Sequence, residues 1–150
     1  MTDADWKQNL LEDDARLAEL VRSLRRVAVL GIKTEQQVDQ AAFYVPRYLA
    51  EAGVEIVPVP IYYPEATEIL GQKVYRKVAD VPGALDCVDV FRRSQDVPAH
   101  VDDLLAAKPR AVWMQSGIAH AEAAERLARA GILVVQDRCL MVEHRRYARG

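Results

Sequence analysis

Five short segments of this 150-residue chain concentrate the groups that could hold a ligand: Gly31-Ile32-Lys33-Thr34, Pro58-Val59-Pro60, Phe91-Arg92-Arg93-Ser94, Gln115-Ser116-Gly117 and Asp137-Arg138-Cys139. Gly31 lets the backbone turn tightly and approach a bound group. The amides of Lys33 and Thr34, near a helix start, could hydrogen-bond a pyrophosphate, with the Lys33 ammonium adding a point charge. Phe91 and Arg92 set an aromatic face beside a planar cation, a pair suited to stacking on adenine or meeting a phosphate. Gln115, Ser116 and Gly117 offer side-chain and backbone hydrogen bonds, and Pro58, Val59 and Pro60 can wall a flat ring. Each set also has a plain structural reading: a glycine that permits a turn, an aromatic that finishes a core beside a solvated arginine pair, a polar turn before a helix. The segments carry weight together rather than singly.

Other chemistries fit less well. A dinucleotide site of the usual kind needs three glycines in the first turn and a carboxylate after the second strand to accept hydrogen bonds from a ribose. Here the first turn has Gly31 alone and the second strand closes on prolines. Cys139 beside Arg138 invites a thiol hypothesis. The more ordinary expectation is a small buried cysteine next to an Asp137–Arg138 pair. His100 and His120 fall on helices or their starts, as surface or capping residues, and Trp113 and Met114 read as core. Cys87 and Cys139 lack the paired spacing of a zinc site or disulfide framework, so reduced thiols are expected.

The elements that must position these segments alternate along the chain. Leu17, Leu20, Val21 and Leu24, with Leu10 two turns back, predict an amphipathic helix in residues 1–25 that packs on the outside of the domain formed by 26–150. Val27 to Leu30 is a first strand. Val38, Ala41, Ala42, Val45 and Leu49 give a helix that kinks or restarts at Pro46, and Val54 to Val57 is a second strand ending at Pro58. After a long proline-bearing loop come a third strand over 85–91, a helix over 97–107, a fourth strand over 111–114, a helix over 121–130 stopped by Gly131, and a fifth strand over 132–135. Short apolar strands separated by helices predict a Rossmann-like, doubly wound α/β fold: a parallel sheet of five strands with helices on both faces. Ligands of such sheets lie beyond the carboxyl ends of the strands, where the five segments fall.

Bulk properties agree with one domain. Hydrophobic residues make up 51% of the chain, enough for one core, and 20 basic against 22 acidic residues leave a net charge of -2. No run of one sign could track a phosphate backbone, so nucleic acid is a poor partner. No apolar stretch approaches the roughly 18 residues of a membrane span, and the acidic start is unlike a secretory signal. A cytoplasmic protein with a small-molecule ligand is expected.

In order and spacing the chain resembles the small stand-alone coenzyme A-binding proteins related to the N-terminal domain of the succinyl-CoA synthetase α subunit. The resemblance covers about Val27 to Tyr147. It rests on Val29-Leu30-Gly31, Tyr44 with Tyr48-Leu49, Pro58-Val59, Ile69-Leu70-Gly71, Asp89-Val90-Phe91-Arg92, Trp113-Met114-Gln115 with Gly117, and Asp137-Arg138-Cys139. It implies a bound CoA or acyl-CoA, with Gly31, Ile32, Lys33 and Thr34 at phosphate, Pro58, Val59 and Pro60 beside the adenosine, and Phe91, Arg92, Gln115, Ser116 and Gly117 lining the rest. It implies binding without a reaction of the chain's own, since the synthetase's catalytic histidine lies in a region this chain lacks, and allows a protein partner or a homo-oligomer. Family members usually carry a small residue and then serine after the first glycine, where this chain has Ile32-Lys33, and a small polar residue where it has Pro60. A small nucleotide- or NAD-dependent enzyme, or an interaction domain without a ligand, are the alternative readings.

Overall fold

The computed structural model describes residues 3–148. Five strands, β1 (Arg26–Leu30), β2 (Glu55–Val59), β5 (Cys87–Val90), β6 (Ala111–Met114) and β7 (Leu133–Val135), form one parallel sheet in the order β2-β1-β5-β6-β7. The chain winds outward from β1 to β2 in one direction and from β5 through β6 to β7 in the other, so the topological switch lies between β1 and β5. The doubly wound sheet expected from the sequence is therefore present.

Alternation along each strand sorts the core into two layers. Val27, Val29, Ile56, Cys87, Trp113 and Val135 face helices α1 (Asp14–Ser23), α2 (Ala41–Glu51) and α5 (Leu140–Tyr147). Ala28, Leu30, Val59, Val90, Met114 and Val134 face α3 (Val101–Ala107) and α4 (Ala121–Arg129). Small residues at Ala123, Ala124 and Ala128 let α4 lie close to the sheet around Leu127.

Several boundaries differ from the sequence reading, each for a local reason. α1 starts only at Asp14, where the Asp13 side chain accepts from the Arg16 amide; Leu10 lies outside it and forms a parallel bridge with Val134 at the β7 edge. Leu17, Leu20 and Val21 of α1 are buried in the core layer. α2 starts three residues after Val38, which is half exposed, and continues through Pro46. Proline has no amide to give the Ala42 carbonyl one turn back; that carbonyl instead accepts from the Lys33 amide at 3.1 Å. β2 likewise runs through Pro58 to Val59. Pro58 is on an edge strand, and its carbonyl, pointing away from β1, takes the Tyr75 amide at 3.0 Å.

The long connection after β2 is ordered around a small hairpin, β3 (Glu68–Ile69) with β4 (Gln72–Lys73), which covers the β2 edge and buries Ile69. The first part of the helix expected over 97–107 is a 3-10 turn, Ser94–His100, before α3 begins. α5 was not anticipated: its inward residues include Glu143 and His144 beside Leu140, so apolar periodicity does not announce it. No described helix is long and apolar enough to cross a membrane.

Candidate functional site

Each post-strand residue continues the sheet's ladder by one bond. Gly31 donates to the Val59 carbonyl at 2.8 Å, Phe91 to Leu30 at 2.9 Å, Gln115 to Val90 at 3.3 Å and Arg138 to Met114 at 3.3 Å. Four of the five singled-out segments thus leave the sheet at one level on one rim, with Val59 and Pro60 alongside. At its centre, between β1 and β5, Gly31 is wedged against its neighbour. With φ of +88°, it has no room for a side chain, since a Cβ would sit 2.3 Å from the Phe91 carbonyl oxygen. Packing between the central loops is sufficient reason for a glycine here.

The residues differ in how far a ligand could reach them. Ile32, Pro58, Val59, Pro60 and Gln115 are buried; Gly31, Lys33, Thr34, Phe91 and Arg92 are half-buried; Ser116 and Gly117 are exposed. The first-turn amides are committed internally. Lys33 N–H serves the Ala42 carbonyl, and Thr34 N–H donates to Gln37 Oε1 at 3.0 Å within a capping box around the Glu35–Gln37 turn. The Lys33 ammonium contacts Gln40 Oε1. The expected amide cradle for a pyrophosphate is therefore absent at Lys33 and Thr34, because Pro46 and Gln37 draw those donors inward.

Gln115 is likewise structural. Its Oε1 accepts the Leu140 amide at 3.0 Å and so caps the first turn of α5. Gln115→Ala should lower stability by about 1 kcal/mol, read as a shift in the urea midpoint with unchanged slope.

The rim's exposed chemistry gathers around Arg92. Its guanidinium lies 6.0 Å from the centre of the Tyr62 ring, donates through Nε to His100 Nε2 at 3.1 Å and stands 3.7 Å from Asp96. Burial, reinforced by the Arg92 charge, lowers the His100 pKa, which keeps the imidazole neutral and able to accept that bond. Tyr62 belongs to the Ile61-Tyr62-Tyr63-Pro64 stretch. Arg76 fixes it by donating to the carbonyls of Tyr62, Tyr63 and Ala66 at 3.2, 2.9 and 2.8 Å. The sequence reading took His100 for a surface or capping residue and gave Tyr62 no site role, because only the folded loop brings them to Arg92; two adjacent tyrosines in a proline-bounded loop were the available signal.

Ser94 Oγ accepts the Ala119 amide at 3.1 Å, joining the loops after β5 and β6. The expected Asp137–Arg138 pair is not formed. Asp137 Oδ1 accepts the Gly117 amide at 2.6 Å, while Arg138 stands 3.8 Å from Glu143 Oε1. Cys139 is half-buried at the start of α5 rather than enclosed. His120 caps α4 by accepting the Ala123 amide at 3.1 Å, and Trp113 and Met114 are core, as expected.

Two grooves border the sheet. One of about 920 Å³ lies at the opposite edge, lined in part by Arg25, Tyr48, Gly53 and His144; another of about 660 Å³ lies at the rim end beyond β6 and β7, lined in part by Leu11, Ser116, Cys139 and Glu143. The larger groove lies away from the C-terminal rim. That groove sits where helices α1, α2 and α5 end, so its arginines Arg22, Arg25 and Arg145 complement the negative ends of those helices.

A family model described as CoA binding domain matches residues 25–145. The chain belongs to this family. As a CoA-binding domain it is 32% identical over 130 residues to the uncharacterized protein YneT of Bacillus subtilis (strain 168), covering 87% of this chain and 93% of that protein. Among solved structures it resembles the Thermus thermophilus protein ID.343 (TM-score 0.82, 38% identity, 91% of this chain and 99% of that one). It also resembles a hypothetical protein from Pyrococcus horikoshii OT3 (TM-score 0.79, 29% identity, 91% and 92%). The same fold recurs in 27% of the chain of a dinucleotide forming acetyl-coenzyme A synthetase from Ca. Korarchaeum cryptofilum (TM-score 0.63, 23% identity, 78% of this chain). The first two solved structures named and the Bacillus protein are thus matched nearly end to end.

Proposed function

We propose that this chain holds coenzyme A, free or acylated, across the C-terminal rim of its sheet at the β1/β5 switch, and catalyses no reaction by itself. The observation that carries the reading is the assembly at that rim: Gly31, Phe91 and Gln115 leave adjacent strands at one level beneath the Arg92–Tyr62 pair. The donor set suits an adenylated, phosphate-bearing ligand. Arg92 and Lys33 supply cations, the Tyr62 ring a face for adenine, and Ser116 and the Gly117 loop further polar groups. CoA would supply its thiol; the protein's part is to orient the molecule and shield one face of it. Because the Lys33 and Thr34 amides are engaged internally, phosphate recognition falls on side chains, with Arg92 foremost. The absence of a ribose-binding carboxylate after β2 sets NAD apart as a ligand.

Calorimetric titration with CoA, dephospho-CoA and NAD tests the reading. Heat with CoA, weaker heat with dephospho-CoA and none with NAD are expected; silence with CoA, or a preference for NAD, would end it. Arg92→Ala should weaken CoA binding about tenfold or more through loss of a charge-assisted contact, without a comparable loss for dephospho-CoA if Arg92 meets the 3′-phosphate.

A further inference from the structure

We propose that His100 is a positioning residue for the phosphate contact of CoA: it holds the Arg92 guanidinium by its Nε edge and leaves the Nη end for the ligand, a role that rests on the CoA-binding reading and deepens it. Arg92 Nε donates to His100 Nε2 at 3.1 Å across the loop that joins β5 to α3. The imidazole is not spent on the helix, since His100 stands at the N-cap position of α3 without a side-chain capping bond. Two other contacts place the arginine but do not turn it. Its Cδ would stand 3.4 Å from a Cβ built on Gly31, so the stem lies against the switch point, and the Tyr62 ring centre is 6.0 Å from the guanidinium carbon. The directional bond to His100 is what sets the rotation of the planar group.

The donors that remain point to an anion. A guanidinium carries five N–H groups; with the Nε one given to His100, those on Nη1 and Nη2 have no hydrogen-bond partner among the described residues. The carboxylate within ion-pair distance is that of Asp96. Its Oδ2 lies 3.7 Å from Arg92 Nη2, beyond hydrogen-bond reach, and the same oxygen accepts from Arg93 Nε at 2.9 Å. Yet the Arg92 side chain is only 18% exposed. A mostly buried cation whose terminal donors are unmatched is completed by a phosphate, which offers two oxygens on one phosphorus to one N–H from each Nη.

A neutral acceptor suits this task better than the alternatives. Burial and the Arg92 charge hold the His100 pKa below its ordinary value against the opposing pull of Asp103 and Asp96, so the ring takes the Nε proton without cancelling the cation. A carboxylate in its place would grip the guanidinium but offset the charge that attracts phosphate. An apolar side chain would leave the charge and lose the orientation. Arginine has many rotamers, and fixing it before the ligand arrives leaves less freedom to be lost on binding.

Calorimetric titration of the full chain with CoA tests this through a double-mutant cycle, with urea unfolding to show that each variant is folded. His100→Phe, which keeps a ring and removes the acceptor, should weaken CoA binding about fivefold, the effect of one pre-ordered side chain. In an Arg92→Ala background the same change should add nothing, because the group it positions is gone. His100→Gln, whose carboxamide oxygen can accept the same proton, should recover most of the loss. If His100→Phe does not fold, His100→Leu replaces it in the cycle. An acceptor-free variant that binds like wild type, equal losses in both backgrounds, a Gln variant as weak as the Phe one, or an Arg92→Ala chain with undiminished affinity would each overturn the proposal and leave the binding reading intact. No heat with CoA in the wild-type chain would overturn both.

Discussion

Gly31→Ala is expected to destabilise the protein by about 2–5 kcal/mol, combining the cost of a left-handed backbone for a residue with a Cβ and that of overpacking. The added carbon would stand 2.3 Å from the Phe91 carbonyl oxygen and 3.1 Å from its carbon. Neither neighbour can yield cheaply: Gly31 N–H is bonded to Val59 and Phe91 N–H to Leu30, so relief requires β1 and β5 to part at the rim. Gly117 offers the comparison. It too has positive φ, +83°, but open space where a Cβ would go, so Gly117→Ala should cost about 1 kcal/mol, the conformational part alone. Urea unfolding of the two variants would check the difference; similar midpoints would mean that the Phe91 contact does not constrain the switch point. The CoA affinity of Gly31→Ala should fall as well, since the same displacement carries Arg92 with it.

Removing the carboxyl of Asp89 should have the opposite effect on stability. Asp89 is fully buried in β5 on the α1/α2/α5 face, with Val29 and Trp113 opposite it on the neighbouring strands. Neither of its oxygens has a hydrogen-bond partner, and the nearby indole Nε1 of Trp113 is already spent on the Arg138 carbonyl at 2.8 Å. Burial therefore pushes the Asp89 pKa well above the usual carboxylate range. With the folded pKa above the unfolded one, the folded state binds the proton more tightly. Stability is then greatest in acid and declines as pH rises from the ordinary carboxylate pKa of about 4 toward the folded value. Asp89→Val should stabilise the protein by about 1–3 kcal/mol at pH 7. The gain should shrink toward pH 4, where wild type also carries a neutral carboxyl. Denaturation at about pH 4.5 and about pH 7 would check it. A variant less stable than wild type at both would show that the carboxyl makes a stabilising bond.

The strands of this fold were legible because burial on both faces writes them as near-continuous apolar runs, and β6 and α4 emerge almost residue for residue. α5 was hidden by Glu143 and His144. Both are inward-facing, and His144 is accommodated by a 2.9 Å bond between Tyr48 Oη and its Nδ1 that no local pattern announces. β2 extended further than expected because a proline is tolerated where its missing amide points off the sheet's edge. At the rim, the positions of the five segments were readable from their place after each strand. Their accessibility was not: Gln115, Pro58 and Pro60 are buried, while Tyr62 is 63% exposed beside Arg92.

Sequence alone set the alternation of strands and helices, and with it the edge on which glycine, arginine and amide groups would collect, because period and handedness leave few ways to wind such a chain. Tertiary structure decided which of those groups remain free. Backbone donors go to the nearest carbonyl left vacant, and in this chain Pro46 vacates the one at Ala42 that takes the Lys33 amide. Whether a polar group faces a ligand or its own fold depends on partners distant in sequence, and only the assembled rim supplies them.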